Sequence, residues 1–221
     1  MVRDIITGIR STLVLWVLTA LMYPLLILLI GQVIFPYQAN GSLIRNPQGQ
    51  VAGSALIGQP FSSERYFWSR PSTTNYSSFT AEERDPENVG QTTGVSGASN
   101  LAPSNTVELL KDNRDAEASD LLKRISESID QLKQTNIQPT ADLVYTSGSS
   151  LDPHISVEAA RAQIERIAQA RSSSGGASLT LNPNQVEFLI IKNTDSRFLG
   201  IFGEPGVNVL KLNLALDGQN M

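Results

Sequence analysis

The chain has 221 residues, one histidine, no cysteine and a formal net charge of -4. Without cysteine there are no disulfides, thiolate metal sites or cysteine nucleophiles, and one histidine excludes most zinc sites within a single chain. No basic patch points to nucleic acid as a partner, and the lack of thiols suits an oxidising compartment.

The segment from Leu13 to Ile34 carries no charged residue. It is roughly 22 residues long, and about 20 suffice to cross a bilayer core. Its polar members are mild, among them Thr19, Tyr23 and Gln32. Trp16 lies near one end, and Phe35 and Tyr37 lie at the other, where amphipathic rings favour the membrane interface. Pro36 can end the helix, and Pro24 falls mid-span and should kink it. A proline there is tolerated when neighbouring helices satisfy the freed carbonyl. The hydrophobic run is too long for a signal peptide and lacks a small-residue cleavage site. Arg3 and Arg10 precede the span and the next basic residue is Arg45, so the positive-inside rule places the N-terminus in the cytoplasm. The expected organisation is a cytoplasmic tail over 1–12, a transmembrane helix over 13–35 and an extracytoplasmic domain over 36–221.

Past the span, Ser54–Ile57 reads as a strand. Thr73–Gly94 is polar and carries Glu82-Glu83-Arg84-Asp85-Pro86-Glu87, the pattern of a mobile insertion. Asn105 with Glu108 forms a capping box before a helix whose apolar residues run from Val107 to Leu132. Leu143-Val144-Tyr145 reads as a short strand. A second helix starts at Asp152 or Ser156 and reaches Arg171. A third has Asn182 as cap, Pro183 at its first position and Val186, Leu189 and Ile190 on its buried side. Alternation over Val207–Leu216 reads as a strand with one apolar face. The fold class expected is α+β, with about three helices packed on a small sheet behind a single N-terminal transmembrane helix.

Few residues carry chemistry. His154 follows Asp152 by two positions, a spacing open to general-base chemistry or to a routine Asp-Pro helix cap. No Gly-x-Ser-x-Gly elbow, phosphate loop or calcium loop occurs. Tyr66-Phe67-Trp68 followed by Arg70 reads either as core packing or as a partner contact, since three adjacent aromatics cannot all point inward from a strand. Tyr23, Pro24 and Gln32 are partner-contact candidates inside the membrane.

These segments together resemble a family, the C subunit of the Kdp-type high-affinity potassium-transporting P-type ATPase of bacteria. The resemblance rests on Tyr23-Pro24-Leu25-Leu26, Gln38–Ile44, Gly53–Gln59, Tyr66–Ser72, Gly97–Asn105, Ser150–Ile155 and Val207–Asp217, in order along nearly the whole chain. Thr73–Gly94 departs from it by being longer and more acidic. The resemblance implies an accessory subunit, without a catalytic centre or cofactor of its own, bound to a channel-like potassium-binding subunit and a P-type subunit that hydrolyses ATP with magnesium. It implies an assembly role, or a raised nucleotide affinity in the hydrolysing subunit, with Gln163 as a nucleotide contact. The residues alone read Gln163 as a helix-surface glutamine. No phosphorylatable Asp-Lys-Thr-Gly occurs. The competing readings are a free-standing anchored binding protein and an anchored hydrolase; the second lacks a nucleophile–base pair.

Overall fold

The computed structural model describes residues 1–46, 48–78, 94–101, 120–173 and 181–218. They form two compact units, Met1–Leu43 and Ile44–Met221.

The first unit is a helix running from Val2 to Ile34. It consists of α1 (Val2–Trp16), a wider π-helical turn (Val17–Met22) and α2 (Tyr23–Ile34). The wide turn falls just before Pro24, which lacks an N–H and whose ring crowds the carbonyl four residues back. The proline is thus absorbed without ending the helix. Ser11 and Thr19 turn their hydroxyls onto the carbonyls of Thr7 (2.7 Å) and Leu15 (2.8 Å), so neither is left unpaired on an apolar surface. Thirty-three residues rise about 50 Å, against a hydrocarbon core of about 30 Å. The charged residues Arg3, Asp4 and Arg10 all lie in α1. Phe35 leaves helical geometry, and Pro36 opens the short turn α3 (Pro36–Ala39).

The second unit is α+β. Strands β1 (Leu43–Arg45) and β2 (Val51–Ser54) form a two-stranded sheet. The central sheet has the order β3 (His154–Ile155), β5 (Gly206–Asn208), β4 (Thr194–Asp195), antiparallel throughout. Around it lie α4 (Asp120–Gln134), α5 (Ala141–Val144), α6 (Val157–Arg161), α7 (Ile164–Ser173), α8 (Pro183–Lys192) and α9 (Val209–Gly218). Phe67, Ile155, Ile167, Val186, Ile190, Val207, Leu212 and Leu216 are completely or almost completely buried in one shared core.

Helix α8 matches the sequence reading in detail. Asn182 and Gln185 form a reciprocal capping box, Pro183 stands at the first turn, and Val186, Leu189 and Ile190 are buried. Helix α4 carries the expected apolar run from Leu121 to Leu132; its expected cap at Asn105 lies outside the described residues, as do 79–93 of the expected insertion.

Four expectations are corrected. The expected strand over Val207–Leu216 is a strand only to Asn208 and a helix beyond it. Asn208 makes the change: its Oδ1 accepts the Lys211 N–H at 3.1 Å, capping α9. The buried residues Val209, Leu212, Asn213 and Leu216 have helical spacing, hidden by a leucine at every second position. Leu143–Tyr145 is not a strand; α5 ends at Val144. Strand β2 ends at Ser54, so Ala55–Ile57 is a turn. The second helix is broken at Ala162 and Gln163 into α6 and α7. It is capped by Ser156, whose Oγ accepts the Ala159 N–H, and not by Asp152.

Candidate functional site

Residues Glu64 to Trp68 form no helix or strand, so their peptide groups need partners from elsewhere. Side chains supply them. Asn213 on α9 meets Phe67 twice: its Oδ1 accepts the Phe67 N–H at 2.8 Å, and its Nδ2 donates to the Phe67 carbonyl at 3.0 Å. Gln163 does the same for Trp68, accepting its N–H at 2.7 Å and donating to its carbonyl at 3.2 Å. Each amide thus imitates the edge of a neighbouring β-strand. Phe67 is fully buried between these contacts, while Tyr66 and Trp68 are half-buried.

Two arginines of α7 complete the clamp. Arg166 donates to the carbonyls of Glu64 and Tyr66 and to Gln163 Oε1, with its guanidinium 4.5 Å above the Trp68 ring. Burial pulls its pKa down to about 10, which still leaves it charged at neutral pH. Arg171 donates to the carbonyls of Arg65 (2.9 Å) and Leu216 (3.3 Å) and to Asp217 Oδ1 (2.9 Å). The other oxygen of Asp217 accepts the Tyr66 hydroxyl at 2.9 Å. Burial first, and Asp217 second, push that phenol up.

Downstream, Arg70 points into a cleft of roughly 640 Å³ bordered by Asp142, Asp152, His154, Asp195 and Glu204. Arg70 pairs with Asp142 at 3.1 Å and reaches Asp152 at 3.9 Å. Asp152 Oδ1 accepts the His154 N–H at 3.0 Å and faces its Nδ1 at 3.2 Å, and His154 Nε2 lies 3.3 Å from Asp195. The ring has room to reach across β5 because residue 206 is glycine; a Cβ there would stand 3.3 Å from the His154 Cβ. Asp152 chiefly, then Asp195, raises the His154 pKa against the opposing effect of burial, and His154 lowers that of Asp152. A general base needs one ring nitrogen free to take a proton. Here both face carboxylates, so the imidazolium is favoured and ties β3 to β4. Among the described residues no group of three His, Asp or Glu side chains is placed to hold a metal ion.

The structure therefore gathers Tyr66, Phe67, Trp68 and Gln163 into one assembly and sends Arg70 to another. The surface reading of Gln163 is overturned: its side chain is fully buried at the α6–α7 break, and its Nε2 donates also to the Ala159 carbonyl at 3.3 Å. Tyr23 is exposed on the first unit, and Gln32 accepts from Asn40 Nδ2 at 3.1 Å. Sequence reasoning missed Arg166, Arg171, Asn213 and Asp217. A signal existed in Gln163, Arg166 and Arg171, whose spacing of three and eight puts polar residues beside the buried Ile167.

The family model "KdpC: K+-transporting ATPase, c chain" matches residues 5–218. A protein of Microcystis aeruginosa called potassium-transporting ATPase KdpC subunit is 61% identical over 217 residues, which is 97% of this chain and 95% of that one. Proteins of the same description from Synechocystis and Geobacter sulfurreducens are 54% identical over 219 residues, covering 99% of this chain and 100% of the relative, and 41% identical over 217 residues, covering 97% of each. The chain belongs to the KdpC family, the c chain of the K+-transporting ATPase.

Proposed function

We propose that this chain is a non-catalytic accessory subunit of an ATP-driven, high-affinity potassium uptake complex. It assembles and stabilises a channel-like potassium-binding subunit and a P-type ATP-hydrolysing subunit, and the hydrolysing subunit alone uses ATP and magnesium. The observation that carries this reading is the presence in one chain of a 33-residue apolar helix, exposed along its length, and a domain whose described polar clusters around Gln163 and His154 bond its own chain. Such a helix calls for lipid or partner helices around it. Pro24 and Tyr23 suit partner helices better than a simple anchor.

In this reading the helix spans the bacterial cell membrane once, with Arg3 and Arg10 in the cytoplasm and the second unit outside. ATP is then on the opposite side. A rise in ATP affinity travels as coupling between two sites, through packed elements that cross the membrane. Gln163 supports that route without touching the nucleotide. Its amide oxygen and nitrogen already serve Trp68, Ala159 and Arg166. Freeing them for a nucleotide leaves the Trp68 peptide unpaired.

The test is reconstitution. Potassium-stimulated ATP hydrolysis by the two partner subunits is measured with and without this chain, and for this chain alone. Hydrolysis that depends on the chain, with none from the chain alone, is the expected result. Full activity without it removes the accessory role.

A further inference from the structure

Between Arg197 and Glu204 the second unit projects a small hairpin tip, Phe198-Leu199-Gly200-Ile201-Phe202. Phe198 and Phe202 bond each other in both directions, at 2.8 and 3.0 Å, and Gly200 N donates to the Arg197 carbonyl at 3.0 Å. All four large side chains of the tip are bare, with Phe198 71%, Leu199 73%, Ile201 74% and Phe202 61% exposed. Leu199 also has φ +53°, the left-handed region that a leucine rarely adopts. A strained turn with four largely exposed apolar side chains has no rationale in the stability of this unit.

We propose that this tip is a docking knob for a preformed apolar pocket, with an uncharged rim, on another subunit of the same transporter. The inference rests on the reading of the chain as a complex subunit. Three features select a protein pocket over a lipid surface. The base of the tip is closed by Arg197 and Glu204 at 3.2 Å, so it presents no excess of positive charge to anionic headgroups. No Trp or Tyr, the aromatics enriched at a membrane interface, occurs from Asn193 to Leu210. The doubly bonded cross-strand pair and the left-handed Leu199 set the backbone of the tip in advance. A preset backbone reduces the ordering lost on entering a shaped pocket and gives no such advantage in fluid acyl chains.

The experiment uses the full chain in its complex, with a photoreactive residue at Ile201. Crosslinking to another subunit is expected; adducts only with lipid, or only with a second copy of this chain, overturn the proposal. In parallel, Leu199→Asp combined with Ile201→Asp is tested for retention of the chain in the detergent-extracted complex. Loss of a central apolar anchor weakens retention by about tenfold or more, with an unchanged thermal melt of the isolated chain, because both positions are already exposed. Unchanged retention beside a wild-type complex that assembles overturns the knob alone. A wild-type chain that binds no partner overturns the subunit reading as well.

Discussion

Asn213 and Phe67 exchange two hydrogen bonds through one side-chain amide and one peptide group, 146 residues apart in sequence. Gln163 repeats the arrangement one residue on, at Trp68. The two amides replace the missing strand neighbour of a segment that could otherwise not be buried. Asn213→Ala leaves the buried N–H and carbonyl of Phe67 without these partners, and Gln163→Ala does the same to the half-buried pair of Trp68. Each orphaned group costs about 1–3 kcal/mol, so the two variants should each lower unfolding stability by about 2–6 kcal/mol, with Gln163→Ala at the lower end because Trp68 is only half-buried, read from chemical denaturation. A loss under about 0.5 kcal/mol at either position contradicts the clamp.

The same two variants separate structure from nucleotide contact. If Gln163 acts through Trp68, Asn213→Ala should alter the apparent ATP affinity of the reconstituted complex as Gln163→Ala does, since both loosen one segment. An effect confined to Gln163, together with crosslinking of an ATP analogue near it, assigns the direct contact instead.

Gly58 and Gly53 set close approaches. A Cβ on Gly58 would fall 2.3 Å from the ring of Tyr76, which is 5% exposed, and one on Gly53 would fall 2.8 Å from Leu210 Cδ2. A buried ring cannot move without displacing its neighbours. Gly58→Ala should therefore destabilise by about 1–3 kcal/mol, while Gly148→Ala, where nothing lies within 4 Å, should leave stability within about 0.5 kcal/mol.

The His154 cluster gives a pH signature. Its pKa is raised above 6.5 on folding, so its contribution is complete below that value and is lost as pH rises through the folded pKa. Asp152 is lowered from 3.8, so its contribution is present above that value and is lost as pH falls through the folded pKa. The network is complete between these limits. The thermal midpoint should fall modestly on the alkaline side of 6.5, because His154 is more than a third exposed, and His154→Gln should remove that slope. A wild-type profile flat from pH 5 to 8 contradicts the assignment.

Topology can be read with one thiol, since the chain has no cysteine. Val95 is exposed, and a cysteine placed there should react with an impermeant reagent in cells whose inner membrane is intact. Labelling only after that membrane is broken reverses the orientation.

Legibility followed the range of the forces. The helix over Leu13–Ile34 and the capped helix at Pro183–Lys192 were readable because local pattern and local capping agree there. The helix after Asn208 was not, because residues 207–216 are apolar enough to satisfy a period of two as well as one of 3.6. The aromatic triplet stands out in the sequence, but its partners lie on α7 and α9, about a hundred residues or more away. No local signal joins such distant residues. Gln163 reads as exposed because a glutamine on a helix usually is; it stands four residues from both Ala159 and Ile167, which are fully buried, so it shares their face.

The most direct test of the account is the mass of the assembly that this chain forms when it is extracted from its own membrane in mild detergent. The account requires the chain to emerge in a complex with a channel-like subunit and a P-type ATP-hydrolysing subunit, and to leave that complex when Leu13–Ile34 is replaced by an unrelated poly-leucine span. Recovery of the chain alone, or only with copies of itself, would contradict it.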